Sequence, residues 1–276
     1  MIEGVHFRPD WSGPGDVARK LVHVNLSDLA ASGGEARWCL LNLGVPVAHD
    51  DTTPGKERRP SAFLPAFAAA LREELTHNDC ELIGGDTFRA PAYFLTLTMG
   101  GPTPRRLTRS SGRQTDSLYV TGELGGSRRG QRLLEQAGAQ ELTKLRESND
   151  PAIQKHLRPR ARLEWARKLR EDPRVHAMMD VTDGLLQDAE RLGRASRLEL
   201  TVELERLPAA PDCSVEAALL SGEELELLFL AEGGLEFDFP CREIGRAAGG
   251  APGLRLTRNG VAVAPPEHPG FEHFAR

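Results

Sequence analysis

The sequence predicts two α/β (or α+β) domains, and three observations predict it. Stretches with apolar residues at helical spacing alternate loosely with short apolar runs of strand length. A basic, polar stretch, Thr103–Gln114 (TPRRLTRSSGRQ), separates the two halves and reads as a junction. A length of 276 residues suits one large or two ordinary domains. The expected division is 1–112 and 113–276.

In the first half, Asp16 to Ser32 reads as a helix with Val17, Leu21, Val24 and Asp28 on one face. Trp38–Leu43 follows as a strand closed by Gly44, then a Pro- and Thr-rich loop from His49 to Ser61. Ala62 to His77 is amphipathic, with Phe63, Phe67, Ala70, Leu71 and Leu75 inward. Cys80–Ile83 and Tyr93–Met99 are strands, separated by the turn-rich GGDTFRAP. In the second half, Ser117–Thr121 is a strand leading through GELGGSRRG into a helix around Gln131–Ala137. Ala161–Arg170 is helical, Val175–Met179 a strand, DVTDG a turn and Leu185–Leu192 a helix. Arg197–Val202 and Glu226–Leu230 are strands, and Arg258-Asn259-Gly260 is a hairpin turn.

Composition excludes some classes of function. Hydrophobic residues at 39% and charged residues at 27% are those of a soluble globular chain. A net charge of -5 argues against a general nucleic-acid binder. It leaves phosphate substrates open, because a bound cation supplies positive charge locally. Cys39, Cys80, Cys213 and Cys241 form no C-x-x-C pair, so neither a zinc site nor a redox motif is indicated. They read as small apolar residues of a reducing compartment. No signal peptide and no apolar run of membrane-spanning length is seen, so a cytoplasmic protein without membrane contact is expected.

Several aspartates attract attention. Asp28, on a face shared with Leu21 and Val24, is either turned to solvent at the helix end or paired with a cation. Asp86 follows Gly84-Gly85, where the backbone allows close approach of a ligand, although Gly-Gly-Asp alone reads as a plain turn. Asp180 and Asp183 bracket Val181-Thr182 before a helix, a cluster able to hold Mg²⁺ against a phosphate. Thr182 or Asp183 as a helix N-cap would explain part of that cluster, but not Asp180. The loop GELGGSRRG matches neither G-x-x-x-x-G-K-[ST] nor G-x-G-x-x-G. His6 stands alone beside Phe7. Spacing by itself reaches aspartates, a divalent cation and phosphate, and no further.

The ordered blocks go further. IEGVHF, VNLSDLAASG, LIGGDT, LTRSSG, LYVTGELG, HLRPRAR, DVTDGL, SGEELEL and GFEHF together resemble the thiamine-monophosphate kinase family from one end of the chain to the other. The resemblance implies a PurM-like fold of two α/β domains, the N-terminal one binding ATP and mediating a homodimer. It implies direct transfer of the γ-phosphate of ATP to thiamine monophosphate, assisted by Mg²⁺. Carried over by matching position, Asp28, Asp86, Asp180 and Asp183 would hold metal, and Gly85, Asp86, Arg109 and Thr182 would contact ATP. His6, Glu223 and Phe271 would hold thiamine monophosphate, an aromatic ring suiting its cationic thiazolium. All four aspartates are expected in one groove.

Three departures accompany the resemblance. Thr182 stands where the family usually has Ser, and Glu224-Leu225 where it has Asp-Tyr, which is expected to loosen the acceptor pocket. Family members also carry a glycine-rich segment and a GDDAA-type motif ahead of the block that here follows Met1. A protein starting at Met1 is therefore expected to have little kinase activity. The alternatives are a non-catalytic or weakly active relative and another ATP-using enzyme of the superfamily.

Overall fold

The computed structural model describes residues 1–46 and 60–266. The loop expected between His49 and Ser61 falls mostly outside them, as does Phe271. In chain order the first unit holds α1 (Pro14–Ala31), β1 (Trp38–Pro46), α2 (Pro60–His77), β2 (Glu81–Ala90) and β3 (Phe94–Gly100). Helix α1 opens on Pro14, whose fixed φ suits the first turn, and Asp16 accepts the Gly13 N–H at 3.0 Å. The three strands form a sheet in the order β2-β1-β3, with β2 parallel and β3 antiparallel to β1. One face, with Cys39, Leu43, Leu95 and Leu97, packs under Val17, Leu21 and Leu26 of α1 and Phe67 and Leu71 of α2. The other face leaves Trp38, Leu40, Phe88 and Phe94 exposed.

The stretch GGDTFRAP differs from expectation: most of it is strand, not turn. Pairing with β1 continues through it, Leu41 opposite Gly85 and Asn42 opposite Asp86, with a register shift at Cys39/Leu40. The glycines serve the sheet. Gly85 has φ +143°, and a Cβ there would lie 1.8 Å from the Leu41 carbonyl oxygen.

The second unit contains β4 (Ser117–Thr121), α3 (Gly126–Gln136), α4 (Ala139–Glu147), α5 (Pro151–Leu157), α6 (Leu163–Glu171), β5 (Val175–Asp180), α7 (Leu185–Ser196), β6 (Glu199–Glu203), α8 (Val215–Leu220), β7 (Leu227–Ala231), β8 (Cys241–Ala248), β9 (Gly253–Arg258) and β10 (Val261–Val263). Its strands order as β10-β9-β6-β8-β4-β7-β5, antiparallel except for β6 with β9. The Asn259-Gly260 turn has positive φ at both residues, as the hairpin reading requires. Strands β8 and β9 and helices α4, α5 and α8 lie beyond what the periodicity predicts.

One face of this sheet packs on Leu185, Leu186 and Leu192 of α7. The other face meets α6 and also Ala30 and Ala31 at the end of α1. Helix α1 thus belongs to both cores. Arg105, in the junction, donates to the carbonyls of Arg170, Asp172 and Val175 and fastens the connection to the second unit.

Gly85→Ala should destabilise the protein by about 2 kcal/mol or more, because the methyl group has no room and the backbone is strained. Urea unfolding measures it. A loss below about 0.5 kcal/mol would show that β2 can leave this register freely.

Candidate functional site

Helix α1 presents a polar stripe to the second unit. Asp16, Lys20 and Ser27, four and seven residues apart, lie within one narrow sector of a 3.6-residue helix, and all three are buried. Asp16 accepts from Arg158 Nε at 2.5 Å. Lys20 donates to Glu223 Oε2 at 2.6 Å and to the His6 carbonyl at 3.1 Å. The Ser27 hydroxyl donates to Asp180 Oδ2 at 2.6 Å. Those four contacts bring the IEGVHF, HLRPRAR, DVTDGL and SGEELEL segments against one helix.

Asp180 ends strand β5 and is 1% exposed. Burial first, then the Asp28 charge, pushes its carboxyl up to about 7, against the opposing Ser27 hydrogen bond. Asp28 sits on α1 at the open side of this junction, accessible rather than core-facing. Its pKa is also raised, by partial burial and by Asp183, while the Arg109 guanidinium opposes the rise. Asp28, Asp180 and Asp183 therefore form one electrostatic group, with Arg109 at its margin.

The turn between β5 and α7 is built by a residue that spacing did not single out. Asp188, buried in the first turn of α7, accepts the N–H groups of Thr182 and Asp183 on Oδ2 at 2.9 and 3.1 Å. Neither Thr182 nor Asp183 caps the helix; the N-cap is Gly184, with φ +115°. Burial raises the Asp188 carboxyl to about 6. Arg191 bonds both Asp183 and Asp188, the latter at 2.9 Å.

Glu223 reaches the same turn through its backbone, its N–H donating to the Thr182 carbonyl at 2.7 Å. Leu225 N–H donates to Val181 O at 3.0 Å, and Gly222 has no room for a Cβ beside Thr182 O. His6 Nδ1 accepts the Ile2 N–H at 3.0 Å, so a neutral His6 carries its proton on Nε2.

Asp86 is where expectation and structure part. Its register opposite Asn42 puts it on the exposed sheet face with Leu40 and Phe94, whereas α1 covers the other face. The four aspartates do not converge: Asp28 is electrostatically coupled to Asp180 and Asp183, and Asp86 stands apart, because side chains alternate across a strand. Among the described residues no three His, Cys, Asp or Glu side chains close into a metal-binding group.

The loop GELGGSRRG holds no open phosphate cradle. The N–H groups of Gly125 and Ser127, before and in the first turn of α3, donate to Glu224 Oε1 at 2.9 and 3.1 Å, and the Ser221 hydroxyl joins them. Glu226, wholly buried, takes Thr121, Lys155 and Arg162. Burial alone would raise its pKa, but the Arg162 and Lys155 contacts hold it below the usual range. Leu225 is fully buried. The Glu224-Leu225 departure thus acts on the core and on the α3 terminus. A cavity of about 710 Å³ lined by Arg19, His23, Glu74, Arg158 and Arg160 contains none of the expected site residues, and most of its charges pair among themselves.

Family models for AIR synthase related protein match this arrangement, the N-terminal domain over residues 1–102 and the C-terminal domain over 114–237. The thiamine-monophosphate kinase of Leptospira interrogans is 38% identical over 281 residues, covering 99% of this chain and 87% of that protein. The chain belongs to the thiamine-monophosphate kinase family. Its PurM-like fold agrees with two solved structures. AaThiL complexed with AMPPCP and TMP superposes with a TM-score of 0.82 at 29% identity, over 99% of this chain and 85% of that one. Thiamine monophosphate kinase from Aquifex aeolicus gives 0.79 at 29% identity, over 96% and 87%. In this family member, α1 carries one of the nine blocks behind the resemblance and gathers four others.

Asp180 and Asp188 hold their protons more tightly in the folded chain than in the unfolded one. Without metal, they stabilise the fold at low pH and lose that contribution as pH rises from about 4 through about 7. Asp180→Asn should therefore be more stable than the parent at pH 8 by on the order of 1–2 kcal/mol, with the gap closing near pH 5. Thermal unfolding in chelator measures this. A gap that widens on acidification would contradict it.

Proposed function

We propose that this protein transfers the γ-phosphate of ATP to thiamine monophosphate, yielding thiamine diphosphate and ADP. The observation that carries the reading is the Glu223–Thr182 hydrogen bond at 2.7 Å. It seats the expected acceptor residue directly on the turn that bears Asp183, in a chain 38% identical to a thiamine-monophosphate kinase. The related complex with AMPPCP and TMP supports the same donor and acceptor.

The donor set fits Mg²⁺. Asp28, Asp180 and Asp183 are hard oxygen donors whose mutual repulsion calls for a cation. Mg²⁺ commonly takes one or two protein carboxylates and completes its shell with phosphate and water. Bound there, Mg²⁺ would supply charge neutralisation for the two facing phosphates. The rest is positioning by this chain. Arg109 lies beside Asp28, so its guanidinium is placed for the nucleotide phosphates. Thr182 offers a hydroxyl at the same turn, its backbone fixed by Asp188. His6 and Glu223 hold the acceptor's heterocycle, and Phe271, outside the described residues, would complete that pocket.

A homodimer follows from the same reading. The exposed face with Trp38, Leu40, Phe88 and Phe94 is an apolar patch of the kind that partners cover. A second copy related by a twofold axis is the occupant proposed here. Gly85 and Asp86 belong to β2, and Asp86 faces this side, so its action on nucleotide or metal would be exercised at the interface.

Thiamine diphosphate formation by this protein from ATP and thiamine monophosphate should be abolished by chelation. Asp183→Ala should lower kcat/KM on the order of a hundredfold or more, while Glu223→Ala and His6→Ala should mainly raise KM for thiamine monophosphate. Activity independent of divalent cation would remove the metal assignment. Light scattering should show a dimer that Leu40→Glu converts to monomer; a monomeric parent at micromolar concentration would end the dimer proposal.

A further inference from the structure

Lys20 belongs to none of the motifs that carried the resemblance, yet it touches two of them. Its side chain is 3% exposed, where an ammonium group is costly unless paired. The Nζ donates to one oxygen of Glu223, in the second unit, and to the backbone carbonyl of His6. Glu223 itself has φ +54°, a conformation that a non-glycine residue keeps only where its surroundings hold it. The Thr182 carbonyl holds its backbone and Lys20 its carboxylate. Two other basic groups stand near this pair. His156 is pushed down to about 3, by burial and then by Lys20, and carries no charge at neutral pH. The Met1 ammonium also feels Glu223 but bonds the Leu95 carbonyl at 2.6 Å.

We infer that Lys20 is a positioning residue for acceptor recognition. It occupies Glu223 Oε2 so that Oε1 is presented to an N–H donor, the amino group of the acceptor's aminopyrimidine. Through the His6 carbonyl it fixes the opposite side of the same pocket. One ammonium group on α1 therefore sets the spacing of two acceptor contacts that come from different domains. The inference rests on the reading of Glu223 as an acceptor contact.

A double-mutant cycle separates the two claims. Initial rates are measured for the parent, Lys20→Met, Glu223→Gln and the double variant, varying thiamine monophosphate and ATP independently. Lys20→Met is expected to raise KM for thiamine monophosphate on the order of tenfold to a hundredfold, with KM for ATP changed by less than about threefold. The loss in the double variant should fall short of the sum of the single losses, because Lys20 acts largely through Glu223 and only in part through His6. Lys20→Arg, which keeps the cation, should recover part of the lost affinity. If Lys20→Met does not fold by circular dichroism, Lys20→Gln takes its place in the cycle. Losses that add, or equal rises in both KM values, would overturn the assignment and leave Lys20 a structural residue. If Glu223→Gln alone leaves KM for thiamine monophosphate unchanged, the acceptor reading fails and the inference with it. If Glu223→Gln raises that KM and Lys20→Met does not, only the role of Lys20 fails.

Discussion

Helix α1 is shared between two hydrophobic cores, and the geometry of the site depends on that sharing. Its Val17, Leu21 and Leu26 side is sealed against the first sheet, while Ala30 and Ala31 enter the core of the second. Small residues at the crossing let the helix approach β5 closely enough for Ser27 to hydrogen-bond Asp180. With both cores fixed, the polar stripe between them has no freedom to turn away. Within the first unit Asp16 has only the Gly13 N–H and Lys20 only the His6 carbonyl, so without partners from the second unit their buried charges, and the Ser27 hydroxyl, would be left under-satisfied at a cost of about 1–3 kcal/mol apiece. All three find such a partner. The domain arrangement is thus specified by polar contacts as well as by apolar area, and polar contacts tolerate far less sliding.

The charges deeper in the second unit follow a similar logic with a different result. Glu224 and Glu226 are buried acids that would be unacceptable alone. One caps the start of α3, and both pair with Lys155 while Arg162 adds to Glu226. Breaking such a network by removing one member costs about 3–5 kcal/mol, since the remaining charge is left stranded. The network explains why a glycine-rich loop that looks nucleotide-like in sequence has its amides already satisfied. It also places neighbouring residues of the SGEELEL block in separate tasks: Glu223 faces the cleft, and Glu224 and Glu226 hold the loop from behind. The backbone turns between them through positive φ at Glu223 and Leu225.

How much of this was legible in the sequence depends on the kind of signal. Elements with strong apolar periodicity, such as α1, β4, β5 and α7, stand close to where spacing puts them. Strand β2 was missed at its glycines because a strand's identity there comes from pairing with β1, which no local pattern records. Strands β8 and β9 alternate charged with apolar residues and so lack the continuous apolar run of a central strand. Asp28, Asp180 and Asp183 were visible as carboxylates in unlikely company, but their meeting was not, since it requires knowing that α1 crosses β5. Lys20, Ser27 and Asp188 were overlooked because each lies within a segment already explained as a helix. The four- and seven-residue spacing of Asp16, Lys20 and Ser27 was a usable signal: three polar residues on one stripe of an otherwise apolar helix need partners. Asp86 shows the converse, where a motif identifies a residue without saying which face of the sheet it occupies.

The same electrostatics joins folding to activity. A site for two phosphates and a cation would have to collect carboxylates before the cation arrives, and the proposed one draws them from α1, from the end of β5 and from the turn that follows it, whose backbone Asp188 holds. The protein meets their mutual repulsion partly by protonation, which is why Asp180 and Asp188 titrate high, and partly by internal cations, Arg109 beside Asp28 and Arg191 on Asp183 and Asp188. On the proposed reading, a divalent cation entering the group would displace protons and compete with Arg191 for Asp183, so metal affinity would rise with pH. The proposed acceptor contact, by contrast, sits at the far end of the polar stripe, where Lys20 and Glu223 already form an ion pair. On that reading one helix carries an acidic end for phosphate chemistry and a charge-balanced end for recognition, separated by two turns.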